Sequence, residues 1–131
     1  MSNNKKVLCI IPARGGSKGI KLKNLQLLGG KPLIYYPIKA AIDSKVCDKI
    51  IVSTDNNKIA NVAKKFGAEV PFLRKKKYSG DLVTTEETLK QALIQTEEYF
   101  LKKFDICVFL TCTNPFRKVS WIKEAVETLK R

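Results

Sequence analysis

The sequence predicts an α/β protein with a doubly wound, mainly parallel β-sheet. Short apolar runs rich in β-branched residues alternate with segments of helical periodicity, as they do in right-handed βαβ units. Each apolar run is followed by a glycine-rich or polar motif. These motifs should therefore gather beyond the carboxyl ends of the strands, where ligands of such sheets bind. A chain of 131 residues can form one domain with a real core.

The first strand is predicted at residues 7–11, Val-Leu-Cys-Ile-Ile, an unbroken apolar run typical of a strand covered on both faces. Pro12 ends it because proline lacks the N–H needed for the ladder. The loop that follows combines glycines with cations: Gly15, Gly16 and Gly19, with Arg14, Lys18, Lys21 and Lys23. Successive N–H groups in such a loop can surround an anion.

This loop matches neither the Walker sequence nor the dinucleotide-binding fingerprint. Taken locally, it is also compatible with an ordinary mobile turn whose lysines are solvated. The loop alone is therefore compatible with two interpretations, an anion-binding site and an ordinary mobile turn.

A turn is predicted at residues 29–32, Gly-Gly-Lys-Pro, followed by a helix at 33–44. Inside that helix Pro37 removes a backbone donor, so the helix should either start late or kink. A second, β-branched strand is predicted at 49–54.

Asp55 is placed to cap the next helix, which should end at Gly67 as its C′ residue. A short third strand is predicted at 70–73, and Pro71 within it favours an edge position. The apolar stripe of the preceding helix consists of Ile59, Val62, Ala63 and Phe66.

Residues 84–87, Thr-Thr-Glu-Glu, have the form of a capping box that opens a long helix. The fourth strand is predicted at 105–110, and it leads into a loop at 111–117. Ser120 is expected to cap the last helix. The inner face of the long helix is predicted to contain Leu89, Ala92, Leu93 and Thr96, and that of the last helix Ile122, Ala125, Val126 and Leu129. The chain stops on this helix without a closing strand, which indicates truncation.

Charge, apolar stretches and cysteine content limit the classes of protein to which this sequence can belong. The net charge of +13 raises nucleic acid as a partner, but the sequence has no helix-turn-helix, zinc-knuckle or RNP pattern. There is no signal peptide and no stretch that could span a bilayer, so we expect a cytoplasmic protein without a membrane partner. The four cysteines lack C-x-x-C spacing and the chain has no histidine, so Cys9 and Cys107 are expected to fill buried strands.

The whole string at residues 11–19, Ile-Pro-Ala-Arg-Gly-Gly-Ser-Lys-Gly, followed by Lys23 and Asn24, closely resembles the signature of CMP-N-acylneuraminate synthetases. These acylneuraminate cytidylyltransferases activate sialic acids and related nonulosonic acids. The resemblance continues through residues 30–33, 52–55, 67–74 and 81–93, so it covers nearly the whole chain. It implies the Rossmann-like fold of nucleotide-diphospho-sugar transferases. Because family members are considerably longer, residues 1–131 are expected to be an incomplete nucleotide-binding domain.

The reaction implied by the resemblance is attack of the anomeric hydroxyl of a sugar acid on the α-phosphorus of CTP, which gives a CMP-sugar and pyrophosphate. Positioning and cations should dominate the catalysis of such a transfer. By resemblance, Arg14 and Lys18 are the catalytic cations. The nucleotide-binding candidates implied by the resemblance are Arg14, Gly15, Gly16, Ser17, Lys18, Lys23, Asn24, Arg74, Asp81, Thr84 and Thr85.

Within that set, backbone N–H groups of residues 15–17 would face the phosphates, and Asn24 would donate to ribose or phosphate. Arg74 would contact the nucleotide, although it also begins a basic run at 74–77 that could be a solvated patch. Residues 81–85 would read the cytosine, and as sequence alone they are a helix cap.

The pattern departs from the family at residues 111–115, Thr-Cys-Thr-Asn-Pro, where family members commonly carry Gln-Pro-Thr-Ser-Pro. Thr111 replaces the amide that would help to hold the sugar, so the identity of the sugar acid stays open. The sugar-binding candidates are Thr111, Thr113, Asn114 and Arg117.

Mg²⁺ is the expected cofactor, with carboxylate ligands that the family places beyond the equivalent of Arg131, so no metal ligand is assigned here. The resemblance also implies a homodimer, with dimer contacts expected from the part of the family fold that follows the equivalent of Arg131. We therefore expect the 131-residue chain to be nearly inactive by itself. A non-catalytic CTP-binding fragment and a basic nucleic-acid-binding module are the two alternatives, although nucleic acid is not the expected partner.

Overall fold

The computed structural model describes residues 5–15, 22–74, 85–112 and 118–130. Three strands in these ranges form a parallel sheet: β1 (Val7–Pro12), β4 (Lys49–Ser53) and β5 (Ile106–Phe109). A small hairpin consists of β2 (Leu27–Leu28) and β3 (Lys31–Pro32). The helices are α1 (Tyr35–Ser44), α2 (Asn57–Lys65), α3 (Thr85–Phe100) and α4 (Val119–Lys130), and Lys23–Leu25 forms a 3₁₀ turn.

The sheet has the order β4-β1-β5, with both neighbours parallel to β1. The chain therefore leaves β1 for one side and later crosses to the other. The carboxyl end of β1 lies at this switch of direction, which is where open α/β sheets bind their ligands. The predicted parallel sheet is confirmed.

Helices cover both faces of the sheet, as a doubly wound fold requires. Leu8 and Ile10 pack with Ala92 of α3 on one face. Cys9 and Ile11 point to the other face, where they join apolar residues of α1 and α2. Since alternate residues of a strand point to opposite faces, this explains why all of residues 7–11 are apolar. No helix among the described residues has the length and apolar character to cross a membrane.

The helix predicted at residues 33–44 begins late, at Tyr35, and Pro37 lies in its first turn, where a missing N–H costs no helical hydrogen bond. Before it, Gly29 and Gly30 adopt φ angles of +61° and +83°. Two consecutive positive φ angles suit a tight turn between antiparallel strands. The hairpin of β2 and β3 was not predicted from the sequence.

The strand predicted at residues 70–73 is wrong. In its place Glu69 forms an isolated parallel bridge with Ile51 on the outer side of β4. Its N–H donates to Ile50 O at 2.9 Å, and its own carbonyl accepts from Val52 at 3.0 Å. Pro71 cannot continue such a ladder because it has no N–H.

The cap predicted for α2 is displaced by one residue. Asn56, not Asp55, is the N-cap, and its Oδ1 accepts the N–H groups of Lys58 and Ile59 at 2.9 and 3.1 Å. The carboxylate of Asp55 accepts a different N–H, described below. Gly67 follows the C-cap residue Phe66 and has φ of +106°, as predicted for a C′ glycine.

Helix α4 also differs from its prediction. It starts at Val119, so Ser120 lies inside the helix and is not the cap. Ile122 and Val126 are buried as predicted, but Ala125 is exposed and Leu129 is 58% exposed.

The two cysteines expected in buried strands differ in exposure. Cys9 is fully buried in β1, whereas Cys107 in β5 is half-buried. Burial, with a smaller contribution from the charge of Glu97, raises the pKa of Cys107 to about 11. At neutral pH it is therefore a thiol.

Replacing Gly67 with alanine should destabilise the fold more than the same change at Gly30. Both have positive φ, but +106° at Gly67 lies far from the left-handed region open to alanine, whereas +83° at Gly30 lies close to it and a Cβ there has nothing within 4 Å. We expect Gly67→Ala to lower the free energy of unfolding by about 2 kcal/mol, within the range for strained backbone. Urea denaturation measures both variants, and an equal or greater loss for Gly30→Ala would contradict the account.

Candidate functional site

The candidate site is built where β1 and β4 end side by side. Their register pairs Pro12 with Ser53, so the residues after each strand emerge at the same edge of the sheet. The N–H of Ala13 donates to Ser53 O at 2.9 Å, which extends the pairing one step beyond β1. Arg14 and Gly15 therefore begin the glycine-rich loop directly beside residues 54–56.

Arg74 is held against the end of β4. Its guanidinium donates from Nη2 to Ser53 O at 2.8 Å and from Nε to Ser53 Oγ at 3.3 Å, while its backbone N–H donates to Thr54 O at 2.7 Å. The residue is only 9% exposed. The alternative that Arg74 belongs to a solvated basic patch therefore does not hold.

The electrostatic environment of Arg74 combines three effects. Burial lowers the pKa of Arg74, the negative charge of Asp55 raises it, and the positive charge of Arg14 lowers it. These two arginines and one carboxylate thus lie close enough to influence one another. The guanidinium has more N–H donors than its two bonds to Ser53 use, so it can hold an anion as well as the strand.

Gly15 is fixed by contacts with the residues that follow β4. Its N–H donates to Asp55 Oδ1 at 2.7 Å. A Cβ at this position would lie 2.8 Å from the Cβ of Asn56, closer than such atoms approach, so only glycine fits. The Gly15 N–H was expected to face phosphate, and here it has a protein carboxylate as its acceptor.

The base of the loop is closed by two further hydrogen bonds. Leu22 N–H donates to Gly15 O at 3.0 Å, and the side-chain amide of Asn24 donates to Arg14 O at 3.2 Å. Asn24 O in turn accepts the N–H of Ile34 at 2.9 Å, just before α1. Asn24 therefore ties the loop to the scaffold, a role that its predicted contact with the nucleotide did not include. Lys23, in the same 3₁₀ turn, is half-buried.

The other predicted site residues are distributed unevenly over the structure. Thr111 is exposed, two residues after β5, and Thr85 is the first residue of α3. The remaining candidates lie outside the described residues: Gly16, Ser17, Lys18, Asp81, Thr84, Thr113, Asn114 and Arg117. Their assignments stay predictions.

Ser53 and Asp55 are functional candidates to which the sequence analysis assigned no role in the site beyond the expected capping of α2. Both belong to the Ser-Thr-Asp motif that ends β4, and this motif was expected at the same edge of the sheet as the glycine-rich loop. The pairing of β1 with β4 confirms that position, and the structure adds the hydrogen bonds that the two side chains make there.

The described side chains contain no group of three or more carboxylates, thiols or imidazoles that could hold a metal ion. No Mg²⁺ ligand is assigned among these residues. The described part of the site contains two arginines and one carboxylate, and this excess of positive charge suits the binding of an anionic ligand.

A family model described as "Cytidylyltransferase" matches residues 8–131. The CMP-N,N'-diacetyllegionaminic acid synthase of Legionella pneumophila is 42% identical over 125 residues, which cover 95% of this chain and 53% of that protein. The pseudaminic acid cytidylyltransferase of Campylobacter jejuni is 40% identical over 124 residues, covering 93% of this chain and 52% of that protein. The chain thus spans about half the length of these two curated relatives.

Solved structures show the same fold. CMP:2-keto-3-deoxy-manno-octonic acid synthetase, in a structure complexed with CTP, superimposes with a TM-score of 0.79 at 21% identity. The match covers 95% of this chain and 47% of that one. A 4-diphosphocytidyl-2C-methyl-D-erythritol synthase superimposes with a TM-score of 0.72 at 16% identity. The match covers 96% of this chain and 55% of that one.

Arg74→Ala should destabilise the protein because it removes charged hydrogen bonds from the end of β4. We expect a loss of about 2 kcal/mol in the free energy of unfolding, the usual range for bonds to a charged group. The matched control is Lys58→Ala, which removes an exposed cation from α2 and should stay within about 0.5 kcal/mol of the wild type. Urea denaturation gives both values, and equal stability of the two variants would show that Arg74 does not anchor β4.

Proposed function

The chain belongs to the cytidylyltransferase family, and on that premise we propose that the protein transfers CMP from CTP to a nonulosonic, sialic-type sugar acid. The anomeric hydroxyl of the acid loses its proton to water, its oxygen forms a bond to the α-phosphorus of CTP, and the bond from that phosphorus to the departing pyrophosphate breaks. The observation that carries the proposal is the convergence of Arg14, Gly15 and Arg74 at the carboxyl edge of β1 and β4. The relatives whose names state this activity support it.

The chemistry required of such a site is mainly electrostatic. CTP carries several negative charges, and further charge develops on the leaving pyrophosphate, so fixed cations lower the barrier more than flexible ones. Arg74 is fixed by its bonds to Ser53 and Thr54. We assign it to orient the nucleotide, and Arg14, with the predicted Lys18, to neutralise the outer phosphates.

The finer assignments are proposals of the same kind. Asp81, Thr84 and Thr85 would read the cytosine, and Thr111, Thr113, Asn114 and Arg117 would contact the sugar acid. Mg²⁺ would stabilise the leaving pyrophosphate when bound, with ligands other than the described side chains. Homodimer formation and a cytoplasmic location stay predictions.

A second candidate function is binding of CTP without transfer. It is favoured by one observation: Arg14 and Arg74, the described cations of the site, can hold an anion whether or not transfer follows. Release of pyrophosphate from CTP distinguishes the two, with N-acetylneuraminic, legionaminic, pseudaminic or 3-deoxy-octulosonic acid as the acceptor. Release with one acceptor identifies the sugar, whereas binding without release with any acceptor supports the second function.

CTP should bind more tightly than ATP or GTP, because small polar groups around Thr84 and Thr85 are expected to leave room for a pyrimidine only. We expect a preference of about tenfold or more, equivalent to about 1.4 kcal/mol. Titration calorimetry with the three nucleotides and an unrelated oligonucleotide measures it. Equal affinity for all three nucleotides would refute the cytidylyl assignment, and tighter binding of the oligonucleotide would support the nucleic-acid alternative.

Arg14→Ala and Lys18→Ala should weaken CTP far more than CMP, since each removes a cation expected to face the outer phosphates. We expect at least about a tenfold loss for CTP and a few-fold loss for CMP. Lys39→Ala is the control, because Lys39 is an exposed cation paired with Asp43 on α1. Calorimetry decides the outcome: parallel losses for CTP and CMP would mean that the loop does not hold a triphosphate.

A further inference from the structure

Asp55 is an acidic side chain in a place where the proposed ligand is strongly anionic. It lies in the bend between β4 and α2 and is partly buried. Its charge acts on Arg74, as does the charge of Arg14. A carboxylate so close to the proposed triphosphate site repels the ligand, and on electrostatic grounds alone its removal would strengthen CTP binding.

The structure gives this carboxylate a specific task. Capping of α2 is performed by Asn56, so Asp55 is not needed there. Instead, Asp55 Oδ1 accepts the N–H of Gly15 at 2.7 Å. A bond from a peptide N–H to a charged acceptor is stronger than one to a neutral acceptor, so it can hold the backbone in place.

The bond acts at the point where the glycine-rich loop leaves the sheet. Gly15 packs so closely on Asn56 that no Cβ fits between them. Its carbonyl accepts from Leu22 at 3.0 Å, so the peptide groups on both sides of Gly15 are held. Arg14 immediately precedes this fixed point, so the position of its backbone depends on the same contacts.

We propose that Asp55 is a positioning residue of the nucleotide site, whose carboxylate fixes the start of the glycine-rich loop through the Gly15 N–H and thereby sets Arg14 in register with Arg74. The proposal rests on the proposed function. Asp55 does not touch the nucleotide. By fixing the geometry of the loop, Asp55 strengthens CTP binding more than the repulsion from its charge weakens it.

Two substitutions separate geometry from charge. Asp55→Ala removes both the acceptor and the charge, and Asp55→Asn removes the charge but keeps an oxygen that can accept the Gly15 N–H. We expect Asp55→Ala to bind CTP at least about tenfold more weakly than the wild type, and Asp55→Asn to bind it as tightly or more tightly. The matched controls are Asp43→Ala and Asp43→Asn, which make the same charge changes on an exposed residue near the carboxyl end of α1.

Two measurements are made on each variant of the 131-residue protein. Titration calorimetry gives the affinity for CTP, and amide hydrogen exchange followed by NMR gives the protection of the Gly15 N–H. Protection should be high in the wild type and in Asp55→Asn, and it should fall at least about tenfold in Asp55→Ala, because the acceptor is lost. The Asp43 variants should change neither quantity.

The outcomes are distinguishable. Undiminished CTP affinity in Asp55→Ala would overturn the proposal, because the carboxylate would then only repel the ligand. A tenfold loss in Asp55→Asn with Gly15 still protected would overturn it as well, and this test holds even where Asp55→Ala does not fold. If the wild type shows Gly15 protection but no CTP binding, the proposed function fails, and with it the role of Asp55 in binding. CTP binding with an unprotected Gly15 amide overturns the positioning role alone.

Discussion

The carbonyl group of Ser53 is the point on which the edge of the sheet depends. It accepts the N–H of Ala13 at 2.9 Å and the guanidinium of Arg74 at 2.8 Å. A carbonyl oxygen has two lone pairs, and here both are used, so one peptide group joins β4, the continuation of β1 and the segment that ends at Arg74. A buried carbonyl that lost these partners would carry the full free-energy cost of desolvation. The meeting of these three segments at Ser53 is therefore part of the fold itself.

Charge adds a second constraint at the same place. Burial disfavours the charged form of Arg74, and the nearby positive charge of Arg14 disfavours it further. Asp55 offsets part of this cost, but a single carboxylate opposes two guanidinium groups. A bound polyanion would relieve the repulsion between the arginines, so the arrangement favours an anionic ligand before any particular ligand is named.

Much of this architecture follows from the sequence, because periodicity reports which residues must be buried. The strand β1 and the stripe of α2 were predicted for that reason, while the missing N–H of Pro37 predicted a late start or a kink of α1, which begins at Tyr35. The hydrogen-bond partner of a polar side chain is a different matter, since it depends on what the fold brings near. Asp55 was predicted to cap α2, but Asn56 is the cap, and the pairing of β1 with β4 brings Asp55 to the N–H of Gly15. The prediction of a strand at residues 70–73 is wrong for a similar reason. The β-branched and aromatic content predicts a strand, but Pro71 has no N–H to donate to the neighbouring strand.

The closed base of the glycine-rich loop has an energetic consequence for binding. Ordering a free loop around a ligand costs conformational entropy that is subtracted from the affinity. Here the bond from Leu22 N–H to Gly15 O joins the two ends of the loop, and Asn24 holds Arg14 O beside it. The entropy of closing the loop is therefore lost on folding and not on binding. The bonds described at this base are made by backbone groups and by the side chains of Asp55 and Asn24, and none of them uses a cationic side chain. The geometry of the base and the positive charge of the site therefore come from different residues.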